Sequence, residues 1–346
     1  MRIRSACHLV AAAVLALGTG APALAQQVVL KVHHFLPGTS NVHINMIEPW
    51  CAKIAKESGD RLKCQIYPSM QLGGTPAQLF EQARDGVADI VWTIPTYSAG
   101  RFVKSEVFEL PFFTRSAAGS SQAYWQFVQK NALDEYKGVK PLFLHTNDGS
   151  AFHLTSPKGV KTLEELKGLK IRAATRLNAR MLAALGATPV QMPLPAVPES
   201  MSKGVIDGAM VPWEGVPAAK LQEIAKSHLD VPAGAPKFAN SIFAFVMNQA
   251  RYDALPPDLK KVIDANSGVA MSAWAGEKFD AVVGANHKLA TDRGNLVVTL
   301  SESELARWVK ATAEVDDQWV KEVSAKGANG AALLDEARAL IKRYDH

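Results

Sequence analysis

The sequence predicts an α/β protein of two lobes with a cleft between them, and three observations carry that prediction. About 320 residues remain once an N-terminal leader is set aside, more than one hydrophobic core usually supports. Strand-like and helix-like periodicities alternate in the order β-α-β-α-β through the first third of the chain, which implies an open, mostly parallel sheet with helices on both faces. Near residue 150 the alternation begins again, as a second unit of the same kind.

The elements follow in order. Val28 to Phe35 reads as a strand, Val42 to Ser58 as a helix, Leu62 to Tyr67 as a strand, Thr75 to Gly86 as a helix and Ala88 to Ile94 as a strand. A helix over Ala117 to Tyr136 leads to a strand at Lys140 to His145. The second unit opens with a strand at Phe152 to Thr155 and a helix capped by Thr162-Leu-Glu-Glu165, the Ser/Thr-x-x-Glu pattern that satisfies free N–H groups at a helix start. Strand Leu169 to Ala173, helices Arg176 to Leu185 and Val197 to Ile206, and strand Gly208 to Val211 complete it. Asn240 to Met247 reads as a long strand continuous with neither unit, one that crosses between them. Long helices at Pro257 to Thr291 and Glu302 to Ala325 flank a strand at Asn295 to Leu300. The expected division is a leader over 1–25, a first lobe over 26–149, a second over 150–239, and a segment 240–346 that completes both.

Met1-Arg-Ile-Arg4, the apolar run Leu9 to Leu17 and Ala23-Leu24-Ala25 before Gln26 have the layout of a secretory signal peptide, too short for a permanent membrane helix. Loss of Arg2 and Arg4 with it leaves 36 basic against 33 acidic residues, a net +3 that is too mild and too evenly spread to imply nucleic acid. The expected location is the periplasm, and a monomer is the default. Cys7 leaves with the leader. Cys51 shares a helix face with Ile47 and Ile54, and Cys64 alternates with Leu62 and Ile66 on the next strand, so both point into one core. Either they form a disulfide, worth about 2 to 3 kcal/mol, or they stay as two buried thiols. No His pair at ligand spacing accompanies them, so zinc is not expected, nor is any cofactor.

Gly-x-Ser-x-Gly, His-Glu-x-x-His, a P-loop and Gly-x-Gly-x-x-Gly are all lacking. His33 and His34, adjacent on a strand, point to opposite faces and cannot chelate together. The informative segment is Gly168-Leu-Lys-Ile-Arg172, then Ala184-Leu-Gly-Ala-Thr-Pro-Val-Gln-Met-Pro193, then Gly204-Val-Ile-Asp-Gly-Ala-Met-Val-Pro-Trp213. It places an arginine at a strand end facing a turn and a second strand that ends in Pro-Trp. The planar guanidinium pairs bidentately with carboxylates and keeps its charge, so this layout points to recognition of an organic acid. Surface ion pairing is the blander role for such an arginine. Two lobes joined by crossing strands leave a cleft where small ligands bind and about which lobes close.

Leu72-Gly-Gly74 after Tyr67-Pro68, Asp85-Gly-Val-Ala-Asp89, Phe108-Glu-Leu-Pro-Phe112, Leu166-Lys-Gly-Leu-Lys-Ile-Arg172, Ala184-Leu-Gly-Ala187 and Gly204-Val-Ile-Asp-Gly208 run in order over the chain. Together they resemble the extracytoplasmic solute receptors of TRAP transporters, of the DctP type. The resemblance implies a two-lobed periplasmic binding protein of type II-like topology, not an enzyme. Such a receptor delivers an organic acid to a small four-helix membrane subunit and a large permease. It also implies that Arg172 pairs with the ligand carboxylate and that Asn240, opening the crossing strand, contributes a polar contact.

Sugar-acid receptors of that family often carry a second arginine where this chain has Phe152 and an asparagine where it has Val211. Burying a hydroxyl or second carboxylate against those apolar residues would cost about 1 to 3 kcal/mol. The candidate walls are Phe35, Trp92, Tyr97, Phe152, Leu194 and Trp213, with His153 a further candidate on the strand beside the cleft. An arginine and an aromatic-lined pocket fit an apolar monocarboxylate such as a mandelate, benzoylformate, benzoate or cinnamate. Alternatives are a short 2-hydroxy or 2-oxo acid, a sugar acid, a receptor that serves a sensor kinase, or an enzyme using Asp207 or Glu214 as a base. Asp207-Gly208 between a helix and a strand is ordinary turn chemistry.

Overall fold

A computed structural model describes residues 27–345, and the leader expected over 1–25 lies outside them. Among the described residues, eleven strands form two sheets. The first holds β1 (Val28–His33), β2 (Leu62–Tyr67), β3 (Ile90–Thr93), β4 (Val139–Thr146) and β10 (Ile242–Asn248), in the order β2-β1-β3-β10-β4. The second holds β5 (Ser150–Leu154), β6 (Lys170–Ala173), β7 (Thr188–Gln191), β8 (Gly208–Pro212), β9 (Ser227–Asp230) and β11 (Leu296–Thr299), in the order β11-β9-β5-β8-β6-β7.

Most pairs are parallel, and each sheet carries one antiparallel strand inside it. β10 runs antiparallel to β3 and β4, and β5 runs antiparallel to β8 and β9. In both sheets that strand is the one entering directly from the other lobe, with no helix ahead of it to turn the chain round. The strand expected to belong to neither lobe is therefore an interior strand of the first sheet. All seven of its residues are buried, as expected of a strand covered on both faces.

Two further expectations are corrected. The helix over Pro257 to Thr291 is three helices, Pro257–Ala265, Val269–Asp280 and Val283–Asp292. Its first break falls at Gly268, whose φ of 95° leaves the helical region and whose N–H goes to Leu142 O at 2.7 Å. β7 and β9 carry no readable strand pattern. The first is a partly exposed edge containing Pro189, where a missing donor is tolerated, and the second reads Ser-His-Leu-Asp.

The helix Glu302–Ala325 is 24 residues long and spans about 36 Å. Its Trp308 packs in the second-lobe core with Phe152 and Phe238, while Val315, Trp319 and Val323 pack in the first-lobe core. The lobes are thus tied by one rigid element as well as by the two strand crossings. A further tie comes from Arg176 of the second lobe, which donates to Glu106 of the first at 2.7 Å and to Glu322 of the long helix at 2.6 Å. In the first lobe, Cys51 on the helix Glu48–Glu57 is joined to Cys64 on β2 by a disulfide, with Cα atoms 5.7 Å apart. No helix among the described residues is long and apolar enough to cross a membrane.

Candidate functional site

One cavity lies where the carboxyl ends of β3 and β6 meet the strand crossings, the usual place for a ligand in α/β sheets. About 400 Å³ of space in and at the mouth of it is free of protein atoms, open solvent included. The first lobe contributes an aromatic slot. Trp92 stacks on Phe35 at 5.1 Å and on Phe243 at 4.9 Å, and Phe243 stacks in turn on His145 at 4.9 Å. The Trp92 indole donates to His145 Nε2 at 2.8 Å, and His145 Nδ1 faces Thr146 O at 3.0 Å. These partners fix one neutral tautomer, and burial holds the His145 pKa down to about 3. The slot is therefore uncharged.

The second lobe contributes Arg172, which is 2 % exposed. Its Nε donates to Met192 O at 2.9 Å and its Nη1 to Met210 O at 2.9 Å, so backbone carbonyls of the two flanking segments aim the guanidinium. Nη2 reaches the Tyr97 hydroxyl across the cleft at 3.4 Å. Among the described residues no carboxylate pairs with Arg172. Burial pulls its pKa down, opposed by Tyr97. A buried cation without a counter-charge is costly, and a ligand anion would remove that cost.

Tyr97 completes the polar end. Its hydroxyl oxygen accepts from Arg172 and also from Leu194 N–H at 3.3 Å, which leaves its own hydrogen free to donate. Burial pushes its pKa up, so that hydrogen is retained. Guanidinium and phenol together present donors at one end of an apolar slot, an arrangement suited to a carboxylate on an aromatic body.

Five of the residues read from sequence, Phe35, Trp92, Tyr97, Arg172 and Leu194, line this cavity. Four do not. Phe152 packs edge-on against Phe238 at 5.0 Å and Trp308 at 5.7 Å in the second-lobe core, because on β5 only the first residue, Ser150, reaches the cavity. His153 faces the other side of β5, against His228 Nδ1 at 2.7 Å and Val211 O at 3.0 Å. Trp213 turns into the lobe, where its indole donates to Asp230 at 2.7 Å and its ring meets His153, His228 and His287. Its neighbours Pro212, Glu214 and Gly215 line the cavity instead.

Asn240 spends its amide on the protein. Its Oδ1 accepts from Asn147 N at 3.0 Å and Ser241 N at 2.9 Å, and its Nδ2 donates to Thr114 at 2.7 Å. It fastens the two crossings together rather than facing a ligand.

Sequence reasoning missed Asn147, Ser150 and Ser241, which line the cavity from the crossings. Glu214 also lines it; burial pushes its carboxyl up to about 7, with Asn41 opposing. Asp207 lies outside. Its carboxylate accepts from Lys170 N at 2.8 Å at the start of β6, a turn role. With Phe152 in the core, the case against a polyhydroxylated ligand rests on Val211 alone. No group of three or more His, Cys, Asp or Glu among the described residues is arranged to hold a metal ion.

Comparison with known proteins places this architecture. The family described as bacterial extracellular solute-binding protein, family 7, matches residues 32–322. A TRAP solute-binding protein from Rhodoferax ferrireducens, solved with copurified benzoate, is 45 % identical, with a TM-score of 0.90 over 92 % of this chain and 98 % of its own. A marine metagenome TRAP solute-binding protein from an unidentified microbe, specific for aromatic acid ligands and solved with 3-hydroxybenzoate, is 42 % identical. Its TM-score is 0.91 over 93 % of this chain and 100 % of its own. A third, from Bordetella bronchiseptica with bound (R)-mandelate and (S)-mandelate, is 28 % identical, with a TM-score of 0.84 over 92 % of this chain and 100 % of its own.

Proposed function

The chain belongs to the family 7 extracellular solute-binding proteins, the solute receptors of TRAP transporters, and from that premise we propose that its ligand is an aromatic or otherwise apolar monocarboxylate held between the lobes. The protein is a receptor and not an enzyme. The carboxylate sits on Arg172, with the Tyr97 hydroxyl as a second donor, and the ring lies in the slot of Phe35, Trp92 and Phe243. One observation carries this reading: Arg172 is a buried cation with no carboxylate partner among the described residues, placed at the end of an uncharged aromatic slot.

Relatives at 45 %, 42 % and 28 % identity bind benzoate, 3-hydroxybenzoate and mandelate, which supports the aromatic acid. Stacking of a ligand ring on Trp92 or Phe243 adds about 0.5 to 1.5 kcal/mol beyond burial. Tyr97 and Arg172 come from opposite lobes, so an anion between them favours the closed form, and closure is what the membrane subunits recognise. Those partners are a small four-helix subunit and a large permease. The receptor acts as a monomer in the periplasm after removal of residues 1–25, and it uses no cofactor.

A thermal-shift panel of aromatic monocarboxylates, short 2-hydroxy acids, four-carbon dicarboxylates and sugar acids tests the ligand class. Ligand at about a thousand times its Kd stabilises the folded state by roughly 4 kcal/mol. The reading requires the aromatic acids to give the largest shifts. Larger shifts from sugar acids or dicarboxylates would refute it.

A further inference from the structure

The cavity holds two buried polar atoms that neither the fold nor a carboxylate on Arg172 uses. Asn147 is 1 % exposed. Its Oδ1 accepts from Gly149 N–H at 2.9 Å, where Gly149 takes a φ of 84° in the crossing, and that bond fixes the amide orientation. Its Nδ2 is left without a partner among the described residues. Glu214 is 5 % exposed; burial raises its pKa with Asn41 of the facing lobe opposing, and its Oε1 has no partner among the described residues. Both residues line the same cavity as Arg172. Other buried polar atoms among the described residues also lack partners, but these two belong to residues that line the cavity, and they are complementary, a donor and an acceptor.

Resting on the proposed function, we infer that Asn147 and Glu214 read a single hydroxyl group on the aromatic acid, so that the receptor prefers a hydroxylated ligand to its unsubstituted parent. A hydroxyl matches the pair because it carries one donor and two acceptor sites. Its hydrogen goes to Glu214 Oε1, and its oxygen accepts from Asn147 Nδ2. The match survives a change in the charge of Glu214, since a carboxylic acid can donate to the hydroxyl and a carboxylate can accept from it.

The surroundings disfavour a second carboxylate. Asp148, next to Asn147, is buried, and its Oδ2 accepts from Trp213 N at 3.0 Å. Burial raises the Asp148 pKa and Glu214 adds to the rise, which places the two acids within electrostatic reach. A second ligand carboxylate would enter beside Glu214 with Arg172 already engaged by the first, whereas a hydroxyl brings no charge. The same chemistry serves a phenolic hydroxyl on the ring and an alcohol on the carbon next to the carboxylate.

Calorimetric titration separates these cases. Benzoate is compared with 2-, 3- and 4-hydroxybenzoate, and phenylacetate with mandelate, on the wild type and on Glu214→Met and Glu214→Gln. At least one hydroxylated acid binds the wild type about tenfold or more tightly than its parent, and the series that shows it, ring or side chain, locates the hydroxyl. Glu214→Met, similar in length but unable to hydrogen-bond, erases that preference, so that the hydroxylated acid and its parent bind within about threefold of each other. Glu214→Gln, which keeps both a donor and an acceptor, retains most of it. Parents that bind as tightly as all their hydroxylated forms would overturn the inference while leaving the proposed function standing. A preference that survives in Glu214→Met would overturn it as well. Silence with every acid, parents included, would overturn the proposed function and this inference together.

Discussion

Tyr97 of the first lobe and Arg172 of the second meet across the cleft, with the phenol oxygen 3.4 Å from Nη2. That oxygen also accepts the Leu194 N–H from the second lobe at 3.3 Å. On the proposed function, ligand recognition and lobe closure share the same atoms. Tyr97→Phe keeps the ring and removes the hydroxyl. Affinity for a benzoate-like acid falls by about 1 to 2 kcal/mol, or roughly 5- to 30-fold. Calorimetry on the variant measures the fall, while its unliganded melting temperature stays near that of the wild type.

The stack of Phe35, Trp92 and Phe243 predicts a preference for rings over chains. Phe243→Leu keeps an apolar side chain and loses the stacking face. Affinity for an aromatic acid drops by about 0.5 to 1.5 kcal/mol, while that for a branched aliphatic acid of similar size holds. A competition titration with the two acids reads the difference directly.

Stability has a plateau in pH. Burial raises the carboxyls of Glu109 to about 8 and of Glu135 and Glu214 to about 7, from an ordinary 4.5. The folded state holds protons there that the unfolded chain releases. Their stabilising effect is complete below about pH 4.5 and fades as pH rises through 7 to 8. Burial also lowers His34, His145 and His228 to about 3 and His153 to about 4, from 6.5. Their contribution is complete above 6.5 and fades as pH falls through 4 to 3. The two groups oppose each other between 4.5 and 6.5. Melting temperature is therefore flat in that window and falls on either side. Glu109→Gln softens the alkaline limb in a calorimetric pH series.

The disulfide between Cys51 and Cys64 closes a short loop, with a sequence separation of 13, and stands outside the cavity lining. Its reduction, or a Cys51→Ala and Cys64→Ala double variant, costs about 2 to 3 kcal/mol of stability. Chemical denaturation reads that loss. Ligand affinity measured by calorimetry is unchanged, because neither cysteine lines the site.

Periodicity made the lobes legible. β2 matches its expected span, and Arg172, near the end of β6, lines the interlobe cavity. What failed was side-chain direction. Phe152 and His153 lie on a strand whose residues alternate between two buried faces, and which residue reaches the cleft depends on where β5 sits between β8 and β9. Asn147 and Ser241 lie in the crossings, where no period exists to read. Trp213 failed for the same reason, since the chain turns just after β8 and sends the indole inward to Asp230.

The most direct test is calorimetric titration of benzoate and of its uncharged isostere benzamide into the wild type and Arg172→Met. The account predicts that benzoate binds the wild type at least a hundredfold more tightly than benzamide, and that Arg172→Met, folded by its circular dichroism, loses benzoate binding. Benzamide binding as tightly as benzoate, or full affinity for benzoate in Arg172→Met, would contradict it.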